Sequence, residues 1–139
     1  GYHFLAGTFD QDGVPTGLQY TEVDDWIDFM VYAPPFEANQ FILDYSRVVC
    51  TPDEVPWGHQ LGDVTVPLFW LEAAGGAAPG ARYSLEVIGS SDITELVISF
   101  YPPEDILLDF AHIDLFIGTD APALAWDPVR DWVIATGWR

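Results

Sequence analysis

The chain has 139 residues, half of them hydrophobic and 15% aromatic, so it can bury a core and does not read as disordered. Twenty-two acidic residues stand against four arginines and no lysine, a net charge of -18 that excludes nucleic acid and anionic membrane surfaces as partners. No apolar run approaches the ~20 residues of a membrane-spanning helix.

Asp outnumbers Glu by about two to one, which fits a halophilic protein from saline or cation-rich surroundings. Residue 1 is Gly, which points to a processed chain or a segment of a larger one. Cys50 is the single cysteine and sits in the apolar run "RVVCT", so it reads as a small buried hydrophobe without a disulfide partner.

Along the chain, short runs rich in Val, Ile, Phe, Tyr and Trp alternate with Gly, Pro and Asp clusters, which predicts strands and turns. The predicted strands are His3–Phe9, Leu18–Val23, Trp26–Ala33, Phe41–Cys50, Asp63–Leu71, Arg82–Ile88, Ile93–Tyr101, Ile106–Ile117 and Trp132–Trp138. The predicted architecture is therefore all-β, a β-sandwich or closed barrel of about nine short strands forming a single domain over residues 1–139. Runs such as "IDFMVYAPP" and "ELVISFYPP" are apolar on both alternations, which predicts strands covered on both faces.

An internal repeat is the second expectation. "GVPTGLQYTEV" (13–23) aligns with "GAAPGARYSLEV" (76–87), and "MVYAPPFE" (30–37) with "ISFYPPED" (98–105). "FILDYSRV" (41–48) aligns with "ILLDFAHI" (106–113), "TPDEVPW" (51–57) with "TDAPALAW" (119–126), and Trp70 with Trp138. The matches keep chain order at offsets between 63 and 69, which predicts two diverged tandem copies, about 3–70 and 67–139, packed about a pseudo-twofold. The first and last strands would then be edges that pair within the barrel or with another subunit.

Candidate sites are weighed against that repeat. Trp57, His59, Tyr101 and Trp126 form the candidate ligand set, because aromatic side chains on loops can stack on sugar rings. The alternative is that Trp57 and Trp126, kept in both copies, plug the ends of the halves. Asp10, Asp12, Asp24 and Asp25 form the candidate metal set, with calcium as the ion such acidic loops would hold. Asp10 and Asp12 fall opposite Ala73 and Gly75 in the repeat, and the later EF-hand ligands are replaced by Val14 and Thr21. "TFDQDGVPTG" (8–17) therefore reads as a hairpin turn set by its Asp-Gly and Pro-Thr-Gly residues.

Asp44 and Asp109 occupy matching places and read as acceptors of backbone amides. His112, with Asp105, Asp109, Asp114 and Asp120 nearby in sequence, is a metal candidate or a polar partner of an Asp. Asp24, Asp25 and Asp28 offer the carboxylates for a minor hydrolase reading. No Ser–His–Asp pattern, phosphate loop, CxxC or HExxH motif appears, so no enzyme is expected.

The functional expectation is a non-catalytic structural subunit of an extracellular assembly: a virion, filament or surface layer. It would assemble with itself or with other subunits through apolar strand faces and edges. The alternative is a carbohydrate- or ligand-binding β-sandwich module assisted by calcium.

Overall fold

The computed structural model describes residues 4–32, 58–76 and 82–137. The expected nine-strand sandwich or barrel is not present. Among the described residues there are four short strands in two separate two-stranded sheets, with helices and helical turns between and after them.

The first sheet is an antiparallel hairpin of β1 (Gly7–Phe9) and β2 (Pro15–Leu18). Its turn follows the sequence reading. Asp10 Oδ1 accepts the amides of Asp12 and Val14 at 2.9 and 2.8 Å, and Gly13 takes φ +76°, which favours glycine. Thr8 and Thr16 hydroxyls meet across the strands at 3.0 Å. The polypeptide then enters α1 (Val23–Tyr32), where a strand over Trp26–Ala33 was expected. Asp24 and Asp25 lie in its first turn, where carboxylates complement the helix dipole. Trp26 and Phe29, one turn apart, stack with ring centroids at 5.8 Å. The helix buries none of its residues.

The second sheet pairs β3 (Leu68–Ala73) with β4 (Ile93–Ile98) in parallel, from Leu68↔Ile93 to Ala73↔Ile98. A 3₁₀ turn, Gly58–Asp63, precedes β3. Parallel strands need a crossover, and this one carries the short helix α2 (Tyr83–Val87), where a strand over Arg82–Ile88 was expected. Arg82 at its start ties both strands together, reaching Glu72 and Glu95 at 2.7 Å each. The apolar run of β3 is at least half-buried at every position, as parallel strands covered on both faces are.

The segment after β4 was expected to be one strand, Ile106–Ile117. It is a 3₁₀ turn (Pro103–Leu108), a loop, and the one-turn helix α3 (Asp114–Ile117). A π-helical turn, Pro122–Trp126, runs into α4 (Asp127–Ala135), which replaces the strand expected over Trp132–Trp138. Pro128 suits the first turn of α4, and Gly137 at φ +80° follows its end. The core gathers Ala73 and Ile98 from the strand ends with Phe110, Leu115 and Ala125.

The repeat does not survive in structure. Met30 in α1 is matched to Ile98 in β4, while the residues matched to β2 lie outside the described ones. Helix thus stands opposite strand, because the two segments share apolar content but not period. The predicted strand Phe41–Cys50 and the matches at 41–48 and 51–57 lie outside the described residues, as does Trp138.

Candidate functional site

Two aspartates organise the chain beyond β4. Asp109 is 1% exposed and accepts four hydrogen bonds. They come from the Ser99 hydroxyl (2.9 Å) and from the amides of Phe100 (2.9 Å), Tyr101 (3.4 Å) and Phe110 (2.7 Å). It thereby folds the chain back onto the end of β4, acting on backbone amides as the sequence suggested. Asp114 is fully buried. Its Oδ2 accepts the amides of Ala6 and Ala111, both at 3.0 Å, and its Oδ1 accepts the Thr21 hydroxyl. Neither carboxylate has a cationic partner among the described residues; N–H and O–H groups satisfy both, as burial requires.

Between them the chain runs Asp109-Phe110-Ala111-His112-Ile113-Asp114-Leu115. In that run Asp109, Phe110, Ala111, Asp114 and Leu115 are buried and Ile113 is half-buried, while His112 is exposed. Its imidazole meets the Phe116 ring edge to face at 5.8 Å. Among the described residues the imidazole makes no hydrogen bond. Its flanks are fixed: the Ala111 amide is held by Asp114, and the Ile113 amide donates to the Phe4 carbonyl at 2.7 Å.

The place of this loop follows from the parallel pair. The Ala74 amide donates to the Ile98 carbonyl, and the Gly75 amide to the Phe110 carbonyl, both at 2.9 Å. Gly76 is buried against the loop, so close that a Cβ there would stand 3.3 Å from the His112 amide nitrogen. His112 therefore stands over the carboxyl ends of β3 and β4. In open α/β sheets, ligands bind outside the carboxyl ends of the strands.

Comparison with protein-family models, with curated proteins and with solved structures found no match.

The residues singled out in the sequence fall elsewhere. Tyr101 is half-buried, and its hydroxyl accepts from Gln19 Nε2 at 3.4 Å. Trp126 is half-exposed on the π-helical turn and donates to the Leu115 carbonyl at 3.0 Å. His59 belongs to the 3₁₀ turn before β3, and Trp57 lies outside the described residues. No contact brings Tyr101 and Trp126 together. Asp10 closes the hairpin turn, Asp12 donates its amide to it, and Asp24 and Asp25 begin α1. No group of three or more metal-capable side chains gathers among the described residues. Thr21 and Ser99 carry no sequence signal for their roles. Asp109 and Asp114 do: an Asp at each end of an apolar run with one His inside it.

Proposed function

We propose that His112 is the general acid–base group of a hydrolytic site at the carboxyl edge of the β3–β4 pair. The observation that carries this reading is the single exposed imidazole in an otherwise buried run, with a buried carboxylate on either side. A side chain held in this way has a fixed origin, which proton transfer needs. In the reaction, His112 takes the proton from an attacking water or hydroxyl. It returns that proton to the leaving group as the scissile bond breaks. The net charge of -18 disfavours anionic substrates, so a neutral ester or amide fits best.

This reading departs from the non-catalytic expectation, which rested on missing sequence motifs. The test is hydrolysis of p-nitrophenyl acetate by the full chain. Replacing His112→Gln is expected to lower kcat by about 10²- to 10⁴-fold with an unchanged melting temperature. Turnover retained by the variant, or none by the parent chain, overturns the reading.

A second reading keeps the self-associating subunit outside the cytoplasm. It is favoured by α1, whose Ile27, Met30, Val31 and Tyr32 are all more than half exposed. Sizing in low and high salt tests it: a monomer under both conditions removes it. The carbohydrate alternative rests on the aromatic residues Trp57, Tyr101 and Trp126 and on the acidic loops, and a glycan array with calcium present tests it.

A further inference from the structure

We infer that the N-terminal hairpin is part of the acid–base site, and that Asp114 and Thr21 are positioning residues that set where the His112 imidazole stands. The inference rests on the hydrolytic reading of His112 and extends it to a region far away in sequence.

Both peptide neighbours of His112 are tied to the same short segment, Phe4–Ala6. On one side, a single carboxylate oxygen of Asp114 accepts the amides of Ala111 and Ala6 together, each at 3.0 Å. On the other side, the Ile113 amide donates to the Phe4 carbonyl at 2.7 Å. The far end of the hairpin closes the arrangement, because the Thr21 hydroxyl donates to the second oxygen of Asp114. Thr21 is itself buried, so no water competes for that bond. The next residue back, Tyr20, accepts the Thr119 amide at 2.8 Å and donates its hydroxyl to the Leu108 carbonyl at 3.1 Å.

The hairpin therefore grips the His112 loop from both of its own ends. Helix α3 has no side-chain cap of its own at Ile113. Asp114, at the start of that helix, directs its carboxylate to the hairpin and to Ala111 instead. If these bonds served only stability, weakening one would lower the melting temperature and leave the surviving folded molecules unchanged at His112. If they serve position, the folded molecules themselves change, since small displacements of a reacting group have large kinetic effects.

The experiment uses the full chain with Thr21→Val, which keeps shape and removes the hydroxyl, and Thr21→Ser, which restores it. Asp114→Asn is the companion variant. Two readouts are taken below the melting temperature. One is the rate of carbethoxylation of His112 by diethyl pyrocarbonate, located by peptide mass mapping. The other is kcat and KM for p-nitrophenyl acetate. Thr21→Val is expected to lower kcat about tenfold with KM within about twofold, and to change the His112 modification rate by about threefold or more. Thr21→Ser is expected to return both to the parent values. Parent-level kcat and modification rate in folded Thr21→Val overturn the inference. If the parent chain does not hydrolyse the ester but the modification rate still follows the hydroxyl, the positioning role stands and the hydrolytic reading fails.

Discussion

The hairpin turn at Asp10 and the loop at Asp114 use the same chemistry in opposite surroundings. Each aspartate gathers two backbone amides on one oxygen, at 2.8–2.9 Å for Asp10 and at 3.0 Å for Asp114. Asp10 is exposed, so water can replace it as an acceptor, and its amides belong to residues two and four positions away. Asp114 is fully buried, and its partners include Ala6, 108 positions away. The first aspartate shapes a turn that the local residues already favour. The second joins two parts of the chain that nothing local would bring together. A hydrogen bond's contribution is set less by its length than by what replaces it when it is lost.

That contrast can be broken by experiment. The largest expected effect is Asp114→Ala. It strands the Ala6 and Ala111 amides and the Thr21 hydroxyl in the interior, a loss of about 3–5 kcal/mol measured by urea unfolding. A loss near that of an exposed turn residue would show that water reaches the site.

An intermediate effect is expected at Tyr20, beside the same loop. Burial first, and then the nearby Tyr101, Asp109 and Asp114, push its phenol up from 10.0 to about 12. Below pH 10 the phenol is protonated in both folded and unfolded chains, so its contribution is intact. Between pH 10 and about 12 the unfolded chain ionises while the folded one does not, and that contribution is lost as pH rises. The unfolding midpoint should therefore fall across this window. Tyr20→Phe should fall less steeply, and equal slopes would refute the assignment.

The smallest effect is Asp10→Ala, at about 1 kcal/mol, with no change in the rate of His112 modification. A larger loss would mean that the turn nucleates the hairpin rather than trimming it.

Some of this was legible in the sequence. "TFDQDGVPTG" gave the hairpin turn because Asp-Gly and Pro-Thr-Gly act through local backbone chemistry. The stretches holding β3 and β4 read as strands, β4 starting at Ile93 as expected while the other three ends differ by two to five residues. Their apolar character on both faces was read as a sandwich awaiting a cover, although the same pattern marks parallel strands flanked by helices. Helices α1 and α4 were missed because Trp, Val, Ile and Phe weigh towards strand on composition. In α4 the signals were present: Asp127 and Pro128 at the start, Gly137 beyond the end. The repeat misleads for the same reason, since apolar content without period cannot tell α1 from β4. At the site, the place of Asp109 in the sequence marks it as a backbone acceptor, and it accepts the amides of Phe100, Tyr101 and Phe110. His112 reads in the sequence as a metal ligand or polar partner, because the burial of its neighbours on both sides is set by contacts distant along the chain. Thr21 could not have been found, since its partner is 93 positions away.

The long reach of Asp114 also bears on the order in which the molecule is made. Ala6, Thr21 and Tyr20 leave the ribosome 108, 93 and 88 residues ahead of their partners Asp114, Asp114 and Leu108. Contacts of such separation close slowly and late. The hairpin can form its turn on the ribosome, but it stays undocked until the loop that carries His112 has appeared. Hairpin and His112 loop thus mature in one step, and a nascent chain halted before Asp114 holds neither in its final place.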